Sequence, residues 1–145
     1  MKKSKKLLIV GGTGFIGINV TKEAVKRGFH VSVISKKKYL KLEQISEAKY
    51  ISVDITDAKS LLFKLKGLSF DYVLNLGGYV DHSNYFNGGD EIINVHFNGT
   101  KNLVNCIDKD NLKGFIQIGS SDEYGDNTAP QNENHRELPI SPYSF

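Results

Sequence analysis

Three glycines spaced three residues apart, Gly11, Gly14 and Gly17, give the strongest chemical signal in the chain. They lie between a short apolar run, residues 6–10, and a segment with helical apolar spacing, residues 15–27. Glycines at such a turn permit a tight bend, let the backbone approach a ligand and allow the helix to pack close to its strand. Unpaired amides and the positive end of the helix dipole then face an anion. The predicted diphosphate site comprises Gly11, Gly14, Phe15, Ile16 and Gly17.

The glycine turn has two alternative interpretations. A phosphate-binding loop of the nucleotide-hydrolase kind is excluded, because no Gly-Lys-Ser or Gly-Lys-Thr follows the glycines. A glycine turn that binds nothing is the remaining alternative. The flanking strand and helix favour the dinucleotide site over that alternative.

The residues at the end of the second predicted strand indicate which dinucleotide the site would bind. About 20 residues after the glycines, NAD-binding folds carry an acidic residue that binds the adenosine ribose. Here Ser35 stands at that place and Lys36 opens a run of three lysines. A carboxylate repels a 2′-phosphate, whereas a hydroxyl and a cation can hold one, so these residues favour NADP over NAD. An exposed basic turn without a ligand is the alternative.

Short apolar runs alternate with helical patterns along the chain. Strands are predicted at residues 6–10, 30–35, 50–53, 71–76 and 114–118, and helices at residues 15–27, 57–66 and 92–106. Strands separated by helical crossovers predict a doubly wound parallel sheet, with residues 36–49 as its least defined connection. The glycine-rich loop at residues 77–90 follows the fourth strand, where open α/β sheets bind ligands. Three prolines predict a loop over residues 127–142.

Composition indicates one globular domain covering residues 1–145, with 39% hydrophobic and 24% charged residues. The lone Cys106 allows no internal disulfide, which suggests the cytoplasm. The apolar run after the N-terminal lysines is too short for a secretory or membrane segment. A net charge of +3 without basic-aromatic interleaving argues against nucleic acid, and the histidine spacing predicts no metal site.

Further short motifs follow the other predicted strands. They are Val53-Asp54-Ile55, Leu74-Asn75-Leu76-Gly77-Gly78, Asn98-Gly99-Thr100-Lys101-Asn102-Leu103 and Gly119-Ser120-Ser121-Asp122-Glu123-Tyr124-Gly125. Together with the glycine turn they resemble the extended short-chain dehydrogenase/reductases, the NAD-dependent epimerases and dehydratases that act on sugar nucleotides. The resemblance implies a Rossmann-type doubly wound parallel sheet with strand order 3-2-1-4-5, truncated before the later strands and the substrate lobe.

The resemblance also implies roles for individual residues. Asp54 and Ile55 match residues that contact adenine. Leu76, Gly77 and Gly78 match the strand end that, in the family, lies beside the nicotinamide ribose and the phosphates of the cofactor. The implied catalytic residues are Ser120, or Ser121 if the register shifts, and Tyr143. Without the resemblance, the Ser-Ser-Asp-Glu sequence is an ordinary helix cap, and Asp54 could likewise cap the next helix.

Some positions depart from the family pattern. Asp122 and Glu123 resemble the acid and base of the dehydratases, but there a further residue precedes the tyrosine, so the reaction branch stays open. His96 stands where the family has asparagine, and we interpret it as an ordinary helix-face histidine. The family's lysine partner of Tyr143 would be residue 147, beyond Phe145. We therefore expect little or no turnover from this chain, and a Tyr143 that is not held in place.

The resulting functional hypothesis is the NAD(P)-binding portion of a sugar-nucleotide epimerase, dehydratase or reductase. In the complete enzyme a hydride would be transferred at a sugar carbon of a nucleotide-sugar substrate. The alternative is a truncated, non-catalytic cofactor-binding or interaction module that pairs, for example as a homodimer, through an exposed sheet edge at the fifth strand, with Phe115, Ile116 and Ile118. A third possibility is that a separate chain supplies the missing half.

Overall fold

The computed structural model describes residues 4–36, 44–84 and 86–144. Within these residues a five-stranded sheet has the order β3-β2-β1-β4-β5, and all neighbouring strands are parallel. The strands are β1 (Lys6–Val10), β2 (His30–Ser35), β3 (Lys49–Ser52), β4 (Tyr72–Asn75) and β5 (Gly114–Gln117). The predicted doubly wound sheet and its strand order are therefore confirmed.

The helices connect the strands as the sequence predicts, with one difference. They are α1 (Phe15–Lys26), α2 (Ala58–Leu65), α3 (Gly89–Ile93) and α4 (Gly99–Cys106). The single helix predicted for residues 92–106 begins earlier, at α3, and contains a π-helical turn, Asn94–Asn98, before α4. The apolar pattern thus located the helix but did not predict the π turn.

The central strand of the sheet is buried on both faces. Leu8 and Ile9 in the central strand β1 are each 0% exposed, and alternate side chains of a strand point to opposite faces. Leu8 packs in a cluster that includes Leu61 of α2 and Leu103 of α4, whereas Ile9 packs with Ala24 of α1. Because helices cover both faces, β1 has a continuous apolar sequence rather than an alternating one.

Backbone hydrogen bonds align the carboxyl ends of the strands along one edge of the sheet. These bonds run from Gly11 N to Ile34 O (2.9 Å), from Val53 N to Ser35 O (3.0 Å) and from Ile118 N to Asn75 O (3.1 Å). The residues that follow β1 to β5 are thus brought side by side, although they are far apart in sequence.

The buried Asn75 side chain joins three elements at this edge. Its Nδ2 donates to Gln117 Oε1 of β5 at 2.7 Å and to Thr100 Oγ1 of α4 at 3.1 Å. Its Oδ1 accepts a hydrogen bond from Gly77 N at 3.0 Å. Asn75 is 0% exposed, and these bonds satisfy its amide inside the protein. The backbone after β4 is therefore fixed to β5 and α4.

The connections and the outer strand complete the fold. Residues 37–43, most of the connection with the least defined prediction, lie outside the described residues. A 3₁₀ helix, Ser121–Tyr124, precedes the loop predicted for residues 127–142. The outer strand β5 exposes Ile116 and, just after it, Ile118. Across residues 4–36, 44–84 and 86–144, no helix has the length and apolar character needed to cross a bilayer.

Candidate functional site

A cleft of about 390 Å³ opens where the carboxyl ends of β1, β4 and β5 meet. Eight of the predicted cofactor residues line it: Gly11, Gly14, Phe15, Ile16, Gly17, Leu76, Gly77 and Gly78. These residues come from two segments about 60 positions apart, and the parallel sheet brings them together.

The three positions of the turn are glycines for different structural reasons. Gly11 adopts φ +74°, and a Cβ there would lie 2.8 Å from Leu76 O. A Cβ on Gly17 would overlap the Gly11 carbonyl oxygen, so both residues are required by the fold itself. Gly14 has φ −75° and ψ 173°, and among the described residues beyond its own chain neighbours and helix turn, a Cβ there would meet Gly11 O at 3.5 Å, an ordinary van der Waals contact. A side chain at Gly14 would therefore occupy the cleft rather than clash with the protein.

The amino end of α1 faces this cleft. Gly14 is its N-cap residue and supplies no side-chain hydrogen bond to the first turn. The first amides of a helix have no partner within the helix, and the helix dipole adds positive potential there. Gly14 thus leaves an open approach to a helix end that attracts anions. The residues present fit a dinucleotide diphosphate at this place.

His96 forms the wall of the cleft opposite the glycine turn. Its imidazole packs so closely on Gly78 that a Cβ on that glycine would overlap the ring. Its Nε2 lies 3.0 Å from Tyr79 O. The sequence interpretation as an ordinary helix-face histidine is wrong, because the His96 ring contacts Gly78 and Tyr79 and lines the cleft. One indication of this role was present in the sequence, because His96 stands at a position where the family that the chain resembles has an asparagine.

A second cavity of about 460 Å³ adjoins the first and shares His96 and Tyr143 with it. Ser120 lines this second cavity, whereas Ser121 lines neither of the two. Ser120 Oγ also accepts a hydrogen bond from Asp122 N at 3.2 Å and caps the 3₁₀ helix. The capping and catalytic interpretations of Ser120 are compatible, since a hydroxyl that accepts one bond still has its hydrogen to donate.

Tyr143 is held by ring contacts on two sides. Its ring centroid lies 5.6 Å from that of His96 and 5.4 Å from that of His82, with both pairs edge to face. The buried Ser144 Oγ accepts from the amides of Ile140 and Ser141 at 3.0 and 2.9 Å. The expectation that Tyr143 is not held in place is therefore wrong, because the segment around it closes a hydrogen-bonded turn.

The acidic pair beside the second cavity is split. Glu123 lines that cavity, whereas Asp122 turns toward His82, with 3.7 Å between Asp122 Oδ2 and His82 Nδ1. Within the part of the chain that the structure describes, no group of three or more His, Cys, Asp or Glu residues is arranged to hold a metal ion. The side chains that line the second cavity offer hydroxyl, phenol, imidazole and carboxyl groups.

The remaining predicted cofactor residues lie outside the cleft lining, at the ends of β2 and β3. Lys36 Nζ forms an ion pair with Asp54 Oδ2 at 2.9 Å. The hydrogen bond that Lys36 donates to this carboxylate raises the pKa of Lys36 above its usual value. Partial burial acts to raise the pKa of Asp54, but hydrogen bonds from Lys36 and Thr56 outweigh it and leave that pKa below its usual value.

Ser35 and Ile55 are the neighbours of this ion pair. Ser35 Oγ accepts a hydrogen bond from Thr13 Oγ1 of the glycine turn at 3.0 Å. Ile55 is 7% exposed and belongs to the core, where its side chain leaves no room for a Cβ on Gly99. The helix cap considered for Asp54 is provided by Asp57, which accepts from Ser60 N at 3.1 Å.

The sheet order and the cleft at its carboxyl edge define a Rossmann-type domain. The model of the NAD dependent epimerase/dehydratase family matches residues 7–145. The chain therefore belongs to that family. The resemblance inferred from the sequence is thereby confirmed.

Curated relatives match nearly the whole chain. A UDP-N-acetyl-alpha-D-glucosaminuronate decarboxylase from Bacillus cytotoxicus is 30% identical over 92% of the chain, which covers 42% of that protein. An N-acetyl-alpha-D-glucosaminyl-diphospho-ditrans,octacis-undecaprenol 4-epimerase from Escherichia coli O157:H7 is 26% identical over 94% of the chain, which covers 39% of that protein. The chain thus spans about two fifths of the length of these relatives.

Solved structures share the fold. The Bordetella bronchiseptica enzyme WbmG in complex with NAD superposes with a TM-score of 0.83 at 20% identity, covering 99% of this chain and 46% of that one. A UDP-glucose 4-epimerase from Thermotoga maritima, solved with UDP-glucose, gives a TM-score of 0.84 at 23% identity, covering 96% of this chain and 46% of that one.

Proposed function

We propose that this chain binds a nicotinamide dinucleotide across the carboxyl ends of its strands, with the diphosphate at the amino end of α1. The single observation that carries the proposal is the open position of Gly14. Its missing side chain keeps the cleft accessible, whereas Gly11 and Gly17 are glycines for packing reasons. A bare helix end at the bottom of a cleft suits a diphosphate.

The other end of the cleft suits the nicotinamide and its ribose. Gly77 and Gly78 expose backbone there, and Tyr143 reaches the same cleft. The family is described as NAD dependent, and WbmG, which shares the fold, was solved with NAD. The proposed cofactor class is therefore NAD or NADP. The preference for NADP that the sequence drew from Ser35 and Lys36 stays a prediction.

In the whole protein we propose hydride transfer at a carbon of a nucleotide sugar, followed by epimerisation, dehydration or reduction. A bound nicotinamide supplies the hydride acceptor or donor. Tyr143 would exchange a proton with the sugar hydroxyl, and Ser120 would donate a hydrogen bond to the same oxygen. Both residues line the second cavity, which favours Ser120 over Ser121. The UDP-linked sugar in the name of the Bacillus cytotoxicus relative supports this substrate class. A cytoplasmic location stays a prediction.

Calorimetry on the purified chain tests cofactor binding directly. The wild type should bind at least one of NAD and NADP, and Gly14→Val should bind neither because its side chain would occupy the diphosphate space. Lys22→Val is the matched control, since it places the same side chain on the exposed face of the same helix. A folded wild type that ignores both dinucleotides at millimolar concentration would refute the proposal, as would a Gly14→Val variant with unchanged affinity.

A second candidate is association through the outer edge of the sheet. Ile116 of β5 and Ile118, just after it, are 57% and 50% exposed. Within the described residues β5 is an outer strand of the sheet, and an exposed apolar edge strand is prone to pair with another chain. Under this candidate two copies of the chain pair along β5 as a homodimer. Light scattering distinguishes it: Ile116→Lys should convert a dimer into a monomer, and a wild type that is monomeric at high concentration would exclude it.

A further inference from the structure

The two ring nitrogens of His96 have different surroundings. Nε2 lies 3.0 Å from Tyr79 O and 3.3 Å from Tyr79 N. The described residues provide no hydrogen-bond partner for Nδ1. Among those residues the only buried side-chain nitrogen or oxygen without a partner is His135 Nδ1, so His96 Nδ1 is accessible. Because His96 lines both cavities of the candidate site, this nitrogen is open to a ligand.

The open nitrogen lies on the side of the first cavity. A Cβ placed on Gly78 would be 2.9 Å from His96 Nδ1, so this nitrogen adjoins the Gly78 backbone. Gly78 lines the first cavity and is not part of the lining of the second. The first cavity also contains the glycine turn and the amino end of α1. His96 Nδ1 therefore belongs to the cleft in which we place the dinucleotide.

The contacts of Nε2 with Tyr79 determine what Nδ1 can do. A carbonyl oxygen only accepts hydrogen bonds, so the 3.0 Å contact with Tyr79 O needs a hydrogen on Nε2. The contact with the Tyr79 amide is longer, and we assign the tautomer from the shorter contact. In a neutral imidazole with its hydrogen on Nε2, Nδ1 is an acceptor. The matching group of a ligand is a donor, such as a hydroxyl.

We infer that His96 is a cofactor-binding residue whose Nδ1 accepts a hydrogen bond from a hydroxyl of the ribose next to the nicotinamide. The inference rests on the proposed cofactor site and deepens it. With the diphosphate at the amino end of α1, this ribose is the next group of the dinucleotide. Gly77 and Gly78 leave room for it at the other end of the cleft, and its hydroxyls can both donate and accept.

Asparagine and glutamine each reproduce one nitrogen of His96. In His96→Asn the polar atoms of the amide lie two bonds from Cβ, as Nδ1 does, so an acceptor remains near the ribose. In His96→Gln they lie three bonds from Cβ, as Nε2 does, so the contact with Tyr79 can remain while the acceptor at Nδ1 is lost. The two variants therefore separate ligand binding from the structural contact with Tyr79.

Calorimetric titrations of the chain with ADP and ADP-ribose test the contact. ADP carries the diphosphate without the second ribose, and ADP-ribose carries that ribose without the nicotinamide. The measured quantity is the ratio of the ADP dissociation constant to the ADP-ribose dissociation constant, in which a loss common to both ligands cancels. Circular dichroism verifies that the wild type and each variant are folded.

We expect this ratio to fall about fivefold in His96→Gln, the loss that corresponds to one hydrogen bond, and by less than about twofold in His96→Asn. An unchanged ratio in His96→Gln, or an equal fall in the two variants, overturns the inference. If His96→Gln does not fold, His96→Phe keeps a ring without either nitrogen, and an unchanged ratio in that variant overturns it too. A wild type that binds NAD but not ADP-ribose also overturns it. A wild type that binds neither ADP-ribose nor NAD or NADP refutes the proposed function instead, so the two failures are distinguishable.

Discussion

The imidazole of His96 meets the ring of Tyr143 edge-on, at an interplanar angle of 90° and with 5.6 Å between the centroids. The same imidazole hydrogen-bonds the backbone of Tyr79 and fills the space beside Gly78. One side chain of the π turn thus connects the backbone after β4 to the proposed proton-exchanging tyrosine. Both cavities of the candidate site share this contact.

Replacing His96 with alanine should loosen this corner of the molecule. The variant loses an edge-to-face ring contact and a hydrogen bond, so we expect the free energy of unfolding to fall by about 1–2 kcal/mol in urea denaturation. His96→Phe is the matched control because it keeps a ring against Tyr143, and it should lose less than half as much. Equal losses in the two variants would show that the ring contact contributes nothing.

Substitutions of the two glycines at the start of α1 should distinguish a glycine that the fold requires from one that keeps the cleft open. Gly17→Ala places a Cβ against the Gly11 carbonyl oxygen, so we expect a loss of about 2 kcal/mol or more, or failure to fold. Gly14→Ala meets open space and should change the free energy of unfolding by less than about 0.5 kcal/mol. Thermal melting of the two variants checks this, and similar melting temperatures would contradict the different reasons inferred for the two glycines.

The Asn75 hydrogen bonds should make a large contribution to stability. Asn75→Ala removes three hydrogen bonds at a buried position and leaves the Gly77 amide without its acceptor, so we expect a loss of about 2–4 kcal/mol. Gln117→Ala removes one of the same bonds at an exposed position and should cost about 1 kcal/mol or less. Equilibrium unfolding in urea measures both variants. A cost for Asn75→Ala no greater than that for Gln117→Ala would contradict the assignment.

Sequence patterns predicted the sheet and most of the cleft because both depend on local signals. Apolar runs such as Leu7 to Val10 identify strands, and the glycine turn must follow β1 wherever the chain goes next. A parallel sheet then brings the turn and the end of β4 to one edge. Eight predicted cofactor residues consequently line one cleft.

The contacts that the sequence could not predict join side chains from separate strands. The Lys36–Asp54 ion pair depends on the β2–β3 register, which the uncertain connection between these strands concealed. His96 lies in the π turn, which the apolar spacing did not predict, and its contacts with Gly78 and Tyr143 join segments that are distant in sequence. Charge and orientation at the site are thus tertiary properties, even where the residues themselves were identified.

The opposite edge of the sheet, at the amino ends of the strands, should make stability depend on pH through Asp71. Lys113 Nζ lies 2.6 Å from Asp71 Oδ1, and Lys6 N donates to Oδ2 at 2.8 Å. The hydrogen bond from Lys113 and that from the Lys6 amide lower the pKa of Asp71 below its usual value of 3.8. A carboxyl group with a lowered pKa in the folded state binds its proton more readily when the chain unfolds.

The stabilisation from Asp71 is therefore present above about pH 4, the unfolded-state value, and is lost as the pH falls through the lower folded-state pKa. Asp71→Asn should be less stable than the wild type at pH 7, and the gap should narrow at pH 3, because the wild type then loses what the variant never had. Lys113→Met removes one of the two partners of Asp71. The difference in the free energy of unfolding between the wild type and this variant should therefore also narrow from pH 7 to pH 3, but by less than for Asp71→Asn. Urea denaturation at pH 7 and pH 3 measures these differences in the free energy of unfolding. A difference between the wild type and Asp71→Asn that stays constant would mean that the hydrogen bonds to the Asp71 carboxylate do not stabilise the fold.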